Sequence, residues 1–127
     1  GQYVPESVGE IMRCIYESLA MKYRMTFEKL CECTGKDYPV IHVIGGGTKD
    51  GLLCRMTASS CGKTVKAGPI EATVMGNVAV QLMSDGTIGS ISEARKAVAA
   101  SESLKTYEPE NTDEWIKAYE SFVKIAK

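Results

Sequence analysis

The apolar run Val40-Ile41-His42-Val43-Ile44 ends in three consecutive glycines, Gly45-Gly46-Gly47. Leu52, Leu53, Met56 and Thr57 then recur at helical spacing. A run that is apolar nearly throughout, rather than alternating, is the pattern of a buried parallel strand. The order is therefore strand, bare-backbone turn, helix, and it points to an α/β fold. Glycine has no Cβ, so a ligand can come close to the backbone at such a turn. A helix N-terminus beside it offers unpaired N–H groups to an anion. Two readings fit the segment: a nucleotide-contacting corner, or a tight strand–helix turn that holds no ligand. Neither of the familiar phosphate-binding patterns, G-x-x-x-x-G-K-[ST] and G-x-G-x-x-G, is present.

Local signals place the other elements. Ser7 and Glu10 form an S-x-x-E capping box. Val8, Ile11, Met12, Ile15 and Leu19 follow at helical spacing, which predicts a helix from Val8 to about Thr34 closed by Gly35. That length exceeds what one small domain needs, so the helix is expected to span an interface or the full width of a sheet. A second helix is expected from about Lys49 to Ser60, and a short strand over Thr64 to Lys66. Pro69 suits the first turn of a third helix, Ile70 to Ser84, whose small residues Ala72, Gly76 and Ala79 read as a packing stripe. Ser90 and Glu93 open a fourth helix through Ala94, Val98 and Ala99. Leu104 to Tyr107 reads as extended, and a last helix starting at Asn111 to Glu114 carries Trp115, Tyr119, Phe122, Val123 and Ala126 on one face. About five helices and two or three strands are too few to bury a parallel sheet. One face of the sheet or of the long helix is expected to meet further structure.

Composition excludes several classes. The 127 residues carry a net charge of −1 with the basic residues dispersed, so no basic stripe argues for nucleic acid or an anionic membrane surface. No apolar run approaches the roughly 20 residues of a membrane span. The opening residues lack the charged-then-apolar pattern of a leader, so a cytoplasmic location is expected. The five cysteines are odd in number and irregularly spaced, which argues against a disulfide framework. Cys31-Glu32-Cys33 reads as two small apolar residues at a helix end, because a single histidine and no second close pair cannot complete a zinc site. His42 reads as a core residue with a hydrogen-bond partner, since no Ser or Cys nucleophile is marked beside it. Glu71 and Asp50 stand near helix starts, where the helix dipole favours them without any further role. No catalytic residue and no metal ligand is assigned.

The segment Val43-Ile44-Gly45-Gly46-Gly47-Thr48-Lys49-Asp50-Gly51-Leu52-Leu53 resembles the adenosine-side motif of the FGGY carbohydrate kinases. Gly68-Pro69-Ile70-Glu71-Ala72-Thr73-Val74-Met75-Gly76-Asn77 is similar to the G-P-x-E-A-T-x-x-G-N stretch of the rhamnulokinase branch of that family. Gln81-Leu82-Met83, Leu104 to Pro109 and the opening helix around Arg13 to Ala20 continue the likeness. The resemblance implies a two-domain enzyme of actin-like, ribonuclease-H-like fold, with ATP and sugar in the cleft between the domains. Residues 1–127 would be the C-terminal portion of its C-terminal domain, helix-rich with a few parallel strands. It further implies that Gly45, Gly46 and Gly47 lie against the adenosine of ATP. Asp50 stands where the family usually has an asparagine that helps hold the nucleoside, and Gly51 where a larger residue is common. The general base and the residues for the phosphates and sugar lie in earlier segments of the family. ATP and Mg²⁺ are the implied cofactors, the N-terminal domain and a ketose the implied partners. L-rhamnulose is the expected ketose, with xylulose, fuculose or a non-catalytic actin-like binding module as alternatives.

Overall fold

Helix α1 (Val8–Thr34) starts at the expected capping box. The Ser7 hydroxyl accepts from the Glu10 N–H at 3.3 Å, and Glu10 Oε2 accepts from the Ser7 N–H at 2.9 Å. It ends at Gly35, whose φ of 64° is the left-handed conformation that glycine adopts without a Cβ penalty. The computed structural model describes residues 3–126, and the rest of the chain follows as β1 (Val40–Val43), a 3-10 turn (Gly45–Lys49), α2 (Gly51–Cys61) and β2 (Thr64–Ala67). Then come α3 (Ala72–Ser84), α4 (Ile91–Ser101), β3 (Lys105–Tyr107) and α5 (Thr112–Ile125).

The three strands form one sheet in the order β1-β2-β3. β1 and β2 run parallel, with Ile41 beside Val65 and Val43 beside Ala67. β3 adds to β2 antiparallel, with Tyr107 beside Val65. The α/β reading holds, and the sheet is mixed because the connector after α4 brings the chain back in the opposite direction. Strand residues of one parity face α2, where Val65 and Ala67 bury with Cys54 and Ala58, flanked by Ile41, Val43 and Tyr107. The long helix α1 covers α2 from outside, burying Ala20 and Met21. α5 closes this layer, packing on both helices. The face the sequence assigned to α5 is oriented inward only at its centre: Tyr119 is buried, Trp115 and Phe122 are half-buried, and Val123 is 43% exposed.

Several expectations change at the strand ends. β1 is an edge strand of a small sheet, so it is half-buried rather than buried, and His42 is exposed rather than a core residue. The physical reason is parity: Ile41 and Val43 take the face toward α2, and His42 falls on the opposite face beside Lys66. The second helix starts at Gly51, not Lys49, because residues 45–49 close into the tighter 3-10 turn. α3 starts at Ala72 rather than Ile70, and Pro69 lies in the preceding loop after a cis peptide bond with Gly68. The small-residue stripe on α3 faces α4 and the strand ends across a hollow, and α3 has no buried residue. Along the first half of α1 the apolar stripe stands in the open: Val8 is 78% exposed, and Ile11, Met12, Ile15 and Leu19 lie between 39% and 46%.

Candidate functional site

The glycine turn sits at the carboxyl end of β1, beside the loop that leaves the carboxyl end of β2. In open α/β sheets that end of the strands is where ligands bind. Two backbone hydrogen bonds join the loops. Gly68 N–H donates to the Val43 carbonyl at 2.9 Å, and Gly45 N–H donates to the Pro69 carbonyl at 3.2 Å. Gly45 has φ 73° and so needs glycine. The Thr48 hydroxyl, itself buried, donates to the Gly45 carbonyl at 2.7 Å and closes the turn from within. The Gly47 carbonyl accepts from the Asp50 N–H at 3.2 Å and from the Cys54 thiol at 3.7 Å. Gly46 is exposed, and a side chain's first carbon placed there would meet no other atom within 4 Å.

Asp50 ends the turn and caps α2. Its Oδ1 accepts from the Leu53 N–H at 3.0 Å, and its Oδ2 accepts from the Tyr16 hydroxyl at 2.7 Å. The Leu53 amide and then the Tyr16 hydroxyl hold the Asp50 carboxyl below the usual carboxylate range. The same hydrogen bond, with the carboxylate's charge, raises the Tyr16 hydroxyl. Burial first, then the nearby Asp50 charge, pushes the Cys54 thiol up, which makes it an apolar packing residue rather than a nucleophile.

Two apolar hollows flank the turn. A cavity of about 930 Å³ lies between α3, α4 and the strand ends, with Ile44, Pro69 and Leu104 in its wall. One of about 390 Å³ lies between α1, β1 and α2 and reaches Gly47 and Leu53. Among the described residues no group of three or more His, Cys, Asp or Glu side chains is placed to hold a metal ion. No helix among them is long and apolar enough to cross a membrane.

The structure thus brings Gly45, Gly46, Gly47 and Asp50 into one turn and sets the Gly68-Pro69 loop against it. Sequence reasoning quoted that second loop as a likeness but not as part of the site. Its nearness comes from the parallel pairing of β1 with β2, which no local pattern reports. Tyr16 was missed altogether, since 34 positions separate it from Asp50.

The strand, the glycine turn and the glycine–proline loop beside it all lie within a stretch that matches a known family. Residues 1–84 match the FGGY family of carbohydrate kinases, C-terminal domain, and the chain belongs to that family. That domain has the actin-like ATPase fold. Among curated proteins the chain is similar to a rhamnulokinase of Bacteroides thetaiotaomicron, 43% identical over 122 residues. The match takes in 96% of this chain and 25% of the relative, so the chain spans about a quarter of that protein's length.

Proposed function

We propose that this chain is the nucleotide-side portion of the C-terminal domain of an ATP-dependent carbohydrate kinase, whose whole form phosphorylates L-rhamnulose. The observation that carries the reading is the 43% identity to a rhamnulokinase along 96% of the chain. The geometry supports the nucleotide role. Gly46 leaves the backbone bare toward open space at the carboxyl ends of parallel strands, and apolar hollows flank it. A purine and ribose suit such a surface, because a flat apolar base gains from close backbone approach and an apolar wall. Gly45, Gly46 and Gly47 would face the nucleoside, and Asp50 would fix the end of the turn. The described residues hold no carboxylate cluster for a divalent ion.

ATP, when bound, supplies the phosphoryl group that passes to a sugar hydroxyl. Such transfers depend chiefly on positioning and charge stabilisation. This chain's residues contribute position: they seat the nucleoside end while groups elsewhere act on the phosphates and the ketose. The open stripe on α1 and the free outer edge of β1 are the surfaces on which the rest of the same protein, including an N-terminal domain, would pack.

The test is an ADP-release assay on the full-length parent protein across a ketose panel. Turnover confined to L-rhamnulose is expected. A folded parent that turns over no ketose would refute the reading. A Gly46→Leu variant should raise the ATP KM and leave the ketose KM in place, because it fills the approach to the bare backbone.

A further inference from the structure

We propose that Tyr16 is a positioning residue for the nucleotide turn: its hydroxyl, by holding Asp50 Oδ2, fixes the end of the glycine turn against α1. This rests on the nucleotide reading of Gly45 to Gly47. The turn is anchored from outside its own segment at both ends. At its start, the Gly45 N–H is held by the Pro69 carbonyl at 3.2 Å. At its end, Asp50 is held by the Tyr16 hydroxyl at 2.7 Å.

Asp50 is a junction with each of its polar groups engaged. Its N–H donates to the Gly47 carbonyl at 3.2 Å, and its carbonyl accepts from the Cys54 N–H at 3.1 Å. Its Oδ1 caps α2 through Leu53. Those three contacts stay within the turn and the helix that follows it. The Oδ2 contact alone reaches another element, and it is a hydroxyl donating to a carboxylate, a short and strong type of bond. Tyr16 is half-buried and lies one helical turn before Ala20, which is fully buried. The packing of α1 therefore fixes where the hydroxyl sits. Removing that hydroxyl leaves the Leu53 cap and the buried core between α2 and the sheet in place. It releases the hydrogen bond that ties the turn's end to α1.

The experiment uses the full-length parent protein with Tyr16→Phe, Asp50→Ala, their combination, and Gly46→Leu as reference. Tyr16→Phe should raise the ATP KM by about threefold to tenfold, the scale of one hydrogen bond, with the ketose KM unchanged. The double variant should show the ATP KM of Asp50→Ala alone rather than the product of the two effects, since without the carboxylate the Tyr16 hydroxyl has no partner on the turn to hold. If Gly46→Leu raises the ATP KM and Tyr16→Phe does not, the positioning role is overturned and the nucleotide reading stands. If neither moves it, the nucleotide reading itself fails. Independent, multiplying effects of Tyr16→Phe and Asp50→Ala would also overturn the proposal. So would an equal rise in the ATP and ketose KM, which would indicate general loosening.

Discussion

Replacing Tyr119 by phenylalanine should weaken the attachment of α5 by about 1 kcal/mol, the value of one net hydrogen bond. The magnitude follows from the geometry. The Tyr119 hydroxyl donates to Glu28 Oε2 at 2.6 Å, and Glu28 Oε1 pairs with Arg24 Nε at 2.8 Å. Arg24 also donates to the Ser60 carbonyl at 3.1 Å, and its guanidinium lies 4.1 Å from the centre of the Tyr119 ring. One chain of contacts thus ties α5 to α1 and α2. Phenylalanine keeps the ring and its cation–π partner. The Glu28 side chain is 44% exposed, so water can replace the lost donor, and the cost stays below the roughly 1.5–3 kcal/mol of a bond to a charged group. Tyr119→Ala, which also removes a buried ring, should cost about 3 kcal/mol or more. The assay is a double-mutant cycle of Tyr119→Phe with Glu28→Ala, read by urea unfolding of the 127-residue chain. A coupling near 1 kcal/mol is expected, and additivity within about 0.3 kcal/mol would refute the reasoning. The pH dependence gives a second check. Burial first, then Glu28, pushes the Tyr119 hydroxyl from 10.0 up to about 12. A folded pKa above the unfolded one means the contribution is complete below pH 10 and is lost as the pH rises toward 12. The phenylalanine variant should lack that alkaline loss.

Two further outcomes follow from the same geometry. Gly68 has φ 127°, and a Cβ there would sit 2.8 Å from Leu104 Cδ2, so Gly68→Ala should destabilise by about 1–3 kcal/mol in thermal unfolding. A loss under about 0.5 kcal/mol would show that the loop can relax. At the start of α1, the Ser7 amide first, then the Tyr3 hydroxyl, hold the Glu10 carboxyl down from 4.5 to about 2. Its capping contribution is therefore complete above pH 4.5 and is lost as the pH falls toward 2. An NMR titration of the Glu10 carboxyl that gave an ordinary carboxylate midpoint would contradict the capping geometry.

The elements were legible wherever their cause is local. The Ser7–Glu10 box and Gly35 set both ends of α1, and Ser90 caps α4 by accepting from the Glu93 N–H. The start of α2 was not, because residues 45–49 close into a 3-10 turn whose first residue is held by the distant Pro69 carbonyl. His42 was misplaced for a related reason. An apolar run tells that a strand exists, but its burial depends on how many strands and helices flank it. Here α2 covers one face of β1 and the other looks into the hollow before α3 and α4, so His42 is left in the open.

The candidate site divides in the same way. The sequence alone determined the glycine turn and the Asp50 that follows it, since these are contiguous residues whose backbone freedom and capping chemistry are local properties, and the order of several motifs along the chain carried the family resemblance. Only the tertiary structure decided what holds that turn. The Gly68-Pro69 loop reaches it through parallel strand pairing, and Tyr16 reaches it because packing of Ala20 seats α1 against α2. Contacts between residues far apart in the chain arise from burial and register, which no short window of sequence specifies.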